Sequence, residues 1–292
     1  MKIKTGRFRV PNDQAVRLKA YPTRVKPVYR DRGHYKTLLQ RHVEALSNLQ
    51  KKFFAEGRFS MLLVLQAMDA AGKDGVIRHV MSGVNPQGCQ VVAFTPPSEE
   101  ELHHDFLWRA ARSLPARGQI GIFNRSYYED VLVPRVHPAR LKEARADGGP
   151  RVWRRRHRSI RSFERHLAAN GTRIVKIFLH VSNDEQRKRF IARIDNPKKN
   201  WKLDVADIRE RACWKDYRHA YERCISATSA NEAPWYIVPA DDKPNARLIV
   251  SQIVLDALRS LKLEVPPVSR ARQKELSRIR HQLERQGGER RR

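Results

Sequence analysis

Residues 59–75 read FSMLLVLQAMDAAGKDG, and the reading of this stretch decides the fold. FSMLLVLQ (59–66) is a short, continuous apolar run that suits a strand buried on both faces. The chain then turns through small residues, Ala67, Ala70, Ala71 and Gly72, and enters a helix predicted over 73–82. This is the setting of an anion cradle, because small side chains let backbone N–H groups close on phosphate oxygens at a helix start. Lys73 supplies a point charge there, and Asp74 and Gly75 follow it into the helix. Two positions depart from the pattern G-x-x-x-x-G-K-[ST]: Ala67 replaces the first Gly, and Asp74 replaces the hydroxyl residue that usually binds magnesium. Asp69, inside the loop, is the candidate metal ligand in its place. The bland alternative is a Gly-Lys helix start with no ligand.

Working outward, strand and helix alternate. Strands are expected at 59–66, 90–95, 118–123, 173–181 and 235–240. Helices are expected at 34–54, 73–82, 98–113, 151–169, 183–194, 205–228 and 244–261, with Ser98 and Glu101 at capping-box spacing. The pattern predicts an α/β fold with a five-stranded parallel sheet between two helical layers. Residues 1–33, with Pro11, Pro22 and Pro27, read as a basic extension wrapped over the surface. Residues 34–265 read as the catalytic domain, with a lid at about 183–217. Residues 266–292 read as an Arg-rich tail, either a solvated helix or disordered.

The chain has 292 residues, with 59 Lys and Arg against 31 Asp and Glu, a formal charge of +28. That excess points to a polyanionic partner. No helix-turn-helix or RNP pattern supports nucleic acid. Cys89, Cys213 and Cys224 form no CxxC pair, so neither a disulfide framework nor a zinc ribbon is expected. The N-terminal stretch has no signal-type apolar segment, and the longest apolar runs fall far below the ~20 residues of a spanning helix. A cytoplasmic protein with no membrane partner is the expectation.

The third strand runs into FNRSYYEDVLVPRVH (123–137). Ligands in open parallel sheets sit beyond the carboxyl ends of the strands. Asn124 stands at that tip, Arg125 can clamp phosphate, Glu129 and Asp130 bring carboxylates to the same edge, and Arg135 adds a cation. Between the last two strands, Arg189 and Arg193 share one helix face and Phe190 and Ile194 the adjacent one, followed by Lys198, Lys199 and Lys202. A lid that sheds water would belong here; ordinary solvated faces are the alternative for each of these charge clusters. His103, His104 and Asp105 are adjacent and point apart, so no shared metal is expected.

Together these segments resemble the polyphosphate kinase 2 family. The resemblance is carried by LQAMDAAGKDGVIRHVMSGVNPQG (65–88), PPSEEELHHDFLWR (96–109), IGIFNRSYYEDVLVPRVH (120–137), RFIARIDNPKKNWKLDVADIRER (189–211) and APWYIVPADDKPNAR (233–247). It implies a P-loop kinase-like three-layer sandwich with a helical lid. It implies Mg-dependent, reversible transfer between inorganic polyphosphate and adenine nucleotides, with guanine nucleotides as a further class and manganese as a second metal. Asp69 would hold the metal, Arg125 would touch phosphate, and Arg189 and Arg193 would be lid cations. Asn124 at the strand tip, with Glu129 and Asp130, is similar to the branch that accepts both AMP and ADP. Ala67 stands where the family usually has Gly, and Tyr127 where the branch often has His. A homo-oligomer, dimer or tetramer, is implied as well. An ATP-dependent nucleoside or nucleotide kinase and a nucleic-acid-binding P-loop NTPase are the competing readings.

Overall fold

The computed structural model describes residues 3–12, 14–143, 149, 151–198 and 200–289. Strand β1 (Ser60–Ala67) is buried along its whole length and lies at the centre of the sheet. Its residues alternate between two cores: Met61, Leu63 and Leu65 face one, Leu62 and Val64 the other. That two-sided burial is why the run is continuously apolar. With β2 (Cys89–Ala93), β3 (Ile120–Asn124), β4 (Thr172–His180) and β5 (Trp235–Pro239) it forms a parallel sheet in the order β2-β3-β1-β4-β5. The chain goes outward from β1 to β2, returns to β3, then crosses to β4. The carboxyl end of β1 is therefore the topological switch point where such sheets bind ligands.

Helices α1 (Arg32–Glu56), α2 (Lys73–Val80) and α11 (Lys243–Arg259) cover the first face. Gly57, in the left-handed region at φ 61°, ends α1. The other face is covered by α5 (Glu129–Val136), α7 (Val152–Ala169) and α10 (Trp214–Thr228). Short helices α3 (Glu99–Leu102), α4 (Trp108–Arg112) and α6 (Ala139–Glu143) fill the loops, and α8 (Asn183–Ile194) and α9 (Val205–Ala212) precede α10. Among the described residues no helix is long and apolar enough to cross a membrane.

Two predicted helices are interrupted. The capping box of Ser98 and Glu101 is present, but α3 stops at Leu102, where Asp105 accepts a bond from the Leu107 N–H and restarts the chain as α4. The helix expected over 205–228 breaks at Cys213 into α9 and α10.

The amino-terminal extension is more than a surface wrap. Ile3, Phe8, Val10, Val16 and Leu18 are buried, and the Val10 N–H bonds to the Trp235 carbonyl at 2.9 Å. Leu18 N–H donates to Glu222 Oε1 at 2.8 Å, so the segment straps α10. The tail forms α12 (Arg270–Glu289), which leaves Leu276, Ile279 and Leu283 exposed.

Because Leu18 is fully buried, Leu18→Ala is expected to lower stability by about 2–5 kcal/mol, read as a lower urea midpoint at unchanged slope. A midpoint equal to wild type would make the extension dispensable to the core.

Candidate active site

The phosphate loop spans the end of β1 and the start of α2. Gly72 caps α2 at φ 108°, a conformation that only Gly adopts without strain. Its carbonyl already accepts from Val76, and the first N–H groups of α2 point toward the strand tips. Ala70 also lies in the left-handed region, at φ 59°, and is the strained residue of the turn. Ala67 is ordinary strand backbone, so its departure from Gly is conformationally silent. Lys73 Nζ rests on the Ala67 carbonyl at 3.2 Å. Burial lowers its pKa, while the Asp69 carboxylate beside it pulls the other way.

Asp69 Oδ1 meets the Arg125 guanidinium at 3.2 Å. Arg125 sits at φ 63° just past β3, and its N–H bonds to the Leu65 carbonyl at 3.0 Å. Burial opposes its charge, but Glu129 and Asp69 more than offset that and hold it protonated. At the tip of β3, Asn124 Nδ2 donates to Asp74 Oδ1 at 3.1 Å and ties the strand to the loop. Gly75 lies against Arg247, whose guanidinium would stand 3.2 Å from an added Cβ. Among the described residues no three His, Cys, Asp or Glu side chains cluster as a self-sufficient metal site.

Arg189 corrects the reading of its helix. It is buried beneath the loop, not on the cationic front. Its guanidinium donates to the carbonyls of Ala70 (3.1 Å), Ala71 (2.8 Å), Ala240 (2.6 Å) and Asp241 (3.1 Å). Gln186, one turn earlier, donates to the Asp69 carbonyl at 2.9 Å. The first turns of α8 are therefore the rear wall of the loop. Arg193 lies beyond them, 4.0 Å from Asp207 of α9.

In front of the loop opens a cavity of about 470 Å³. Asp69 and Arg125 form its floor, and Glu129 and Asp130, from the first turn of α5, form one side. Phe94, Pro97, Val133 and Trp214 give it an apolar wall. Glu129 accepts from Gln66 Nε2 at 3.0 Å. Asp130 lies 3.7 Å from Arg109, and its carbonyl accepts from Arg156. Burial raises the Asp130 carboxyl to about 6, against the pull of Arg109 and Arg156 and with help from Glu129 and Glu101. Glu210 of α9 accepts from Tyr217 at 2.6 Å and pairs with His137 at 2.9 Å.

Arg135 is not part of this site. It lies ~140° around α5 from Asp130 and stacks on Trp153, with its centre 4.8 Å from the ring. Lys199 lies outside the described residues, and Lys202 ends the short turn Asn200–Lys202. Arg109, Arg156, Gln66 and Gln186 were not singled out from sequence. Arg109 stands in a motif quoted above with no role attached, and Arg156 is hidden in the run RRRHR (154–158). Tyr127 is fully buried behind the turn, so its departure from His falls on the packing side of the strand tip.

A sequence model described as Polyphosphate kinase 2 matches residues 29–266. The chain belongs to the polyphosphate kinase 2 family. It is 59% identical over 287 residues to the ADP-polyphosphate phosphotransferase of Rhodopseudomonas palustris, covering 97% of this chain and 99% of the relative. It is 46% identical over 229 residues to the AMP/ADP-polyphosphate phosphotransferase of Meiothermus ruber, covering 78% and 83%. The crystal structure of Polyphosphate Kinase 2 from Arthrobacter aurescens TC1 superposes with a TM-score of 0.84 at 42% identity, covering 92% of this chain and 94% of that one. The three-layer P-loop kinase-like fold is thus that of the family.

Two predictions follow from the geometry. Arg189→Lys keeps the charge but not the fork, so turnover is expected to fall by about 100-fold, nearly as far as in Arg189→Met. Restoration by Lys to near wild-type turnover would return Arg189 to the role of a simple cation. The second concerns pH. Folding raises the Asp130 pKa, so its contribution to stability is greatest below the ordinary carboxyl value of 3.8 and declines as pH rises toward about 6. Melting curves should show Asp130→Asn gaining on wild type between pH 4 and about 7; a pH-independent difference would refute the raised value.

Proposed function

We propose that the protein moves the terminal phosphoryl group of inorganic polyphosphate to AMP and to ADP, reversibly. The observation that carries this is a pair of facing subsites. A phosphate loop with the helix start of α2 and Lys73 lies beside Asp69 and Arg125, which line a cavity walled by apolar side chains and two carboxylates. The loop suits a chain of phosphates, and the cavity suits a nucleotide whose base needs an apolar wall.

Phosphoryl transfer needs alignment and charge neutralisation more than covalent chemistry. A phosphate oxygen of the acceptor attacks the terminal phosphorus of polyphosphate. The bond to the bridging oxygen breaks, and the shortened chain leaves with the electron pair on that oxygen. Lys73, Arg125 and the α2 N–H groups neutralise the charge on the transferred group. Asp69 fits magnesium, or manganese, because such ions bind through one or two carboxylates together with substrate phosphates, and one Asp69 oxygen remains beyond the Arg125 contact. When bound, the metal supplies further charge neutralisation to those phosphates. ADP as the sole acceptor is the second reading, favoured by the name of the relative at 59% identity. We further propose a cytoplasmic homo-oligomer, dimer or tetramer, to be checked by light scattering.

The deciding assay supplies polyphosphate and magnesium with AMP or ADP and resolves the products. ADP from AMP, followed by ATP, is the expected result. ATP from ADP alone selects the second reading, and product only with ATP as donor overturns the donor. Lys73→Ala is expected to lower turnover about 10²–10³-fold while changing the affinity for long chains far less. Near-normal turnover would remove Lys73 from the mechanism. Binding of long polyphosphate should also weaken steeply with salt, as binding of a polyanion by Lys and Arg does.

A further inference from the structure

Behind the acidic pair lies a buried polar cluster that the transfer chemistry does not use. Lys176, in the middle of β4, is fully buried, and Glu164 of α7 is 1% exposed. Lys176 Nζ donates to Glu164 Oε2 at 2.6 Å, to the Thr228 carbonyl at 2.7 Å and to the Tyr128 hydroxyl at 3.0 Å. Glu164 Oε1 accepts from the hydroxyls of Tyr127 and Tyr128, each at 2.8 Å. The three ammonium protons are used, and the carboxylate has three donors. Trp235 Nε1 closes the cluster on Thr228 Oγ1 at 3.0 Å.

What this cluster holds is telling. Tyr127 and Tyr128 immediately precede Glu129 and Asp130 in the chain, and follow Arg125 at its left-handed φ. Thr228 ends α10, the helix whose Tyr217 and Tyr221 line the cavity. The cluster thus ties two parts of the acceptor wall to the central sheet and to α7. A buried ion pair gains little stability over apolar residues of similar volume, so stability alone does not account for it.

We propose that Glu164, Lys176 and the hydroxyls of Tyr127 and Tyr128 are positioning residues that fix Glu129 and Asp130 against the phosphate loop. The proposal rests on the phosphotransferase reading above. It acts through orientation, so it predicts a loss that falls on the acceptor and spares polyphosphate.

The test replaces the pair by apolar residues, Glu164→Leu with Lys176→Met, because removing one partner alone leaves a buried charge and unfolds the chain. The double variant leaves the Tyr127 and Tyr128 hydroxyls and the Thr228 carbonyl without these partners, so it is assayed well below its own melting temperature, where it is expected to lose at least about tenfold in kcat with a raised KM for the acceptor and to keep its KM for polyphosphate. A kcat and acceptor KM within about twofold of wild type would overturn the proposal. If the double variant does not fold, Tyr127→Phe and Tyr128→Phe decide. Each removes one hydroxyl with little change of shape, and each should lower kcat/KM for the acceptor by about threefold or more, read well below its melting temperature, with the KM for polyphosphate unchanged. Unchanged values in both would overturn it as well. Wild type serves as the control for the reading beneath: no transfer from polyphosphate to either acceptor refutes that reading. The cluster is then judged by carboxyl NMR, where an Asp130 titration identical in wild type and the folded variant refutes positioning.

Discussion

A loop that turns its N–H groups toward an anion must turn its carbonyls the other way. Buried carbonyls need donors, and here the requirement falls on one side chain. The planar fork of Arg189 reaches two carbonyls of the phosphate loop and two just past β5, and Gln186 takes a third loop carbonyl. A lysine could not span that set. The consequence reaches beyond the loop. The first turns of α8 are bonded to the loop and to the end of β5. Beyond Phe190 the chain carries exposed Ile194 and Trp201, and α9, which has no buried residue, is tied back to α8 by Arg211, which donates to Asn183 and Gln186.

Charge is arranged with the same economy. Asp69 and Arg125 pair with each other across the floor of the cavity, which keeps a cation and an anion in place before either meets a substrate. On the acceptor side the carboxylates are hemmed in. Asp130 is flanked by Arg109 and Arg156, and burial still raises its pKa to about 6. On the proposed function, a highly charged donor would meet cations and the helix start of α2, whereas the acceptor would meet apolar surface and the two carboxylates. The net charge of +28 bears on gathering a polyanion. The local pairs bear on which phosphate sits where.

Much of this was legible in the sequence, for a physical reason. A strand buried on both faces must be continuously apolar, so β1 was visible in SMLLVL, and the loop followed from the small residues and Gly72-Lys73 after it. Positions whose role depends on tertiary direction were not. Arg189 and Arg193 are four apart and look equivalent on a helical wheel, yet one is buried under the loop and the other faces α9. Arg135 shares a motif with Arg125 but lies around the helix from the cavity. Lys176 sits in a strand whose neighbours are apolar, and only the fold shows that it meets Glu164. The breaks at Leu102 and Cys213 depend on local side-chain bonds and packing that periodicity does not carry.

Two non-glycine residues of the site's turns lie in the left-handed region, Ala70 at φ 59° after β1 and Arg125 at φ 63° after β3. Glycine would remove about 1–3 kcal/mol of strain at either, but at Arg125 it would delete the cation that pairs with Asp69. Both strained residues are held by bonds from their surroundings: Arg189 on the Ala70 carbonyl, and the Arg125 N–H on Leu65. Strain held in this way fixes the distance between loop and strand tip. A reaction that consumes a polymer one phosphate at a time has to realign the same two atoms after each shift of the chain. On the proposed reaction, a floor held by these bonds would keep the point of transfer in place while the polymer shifts.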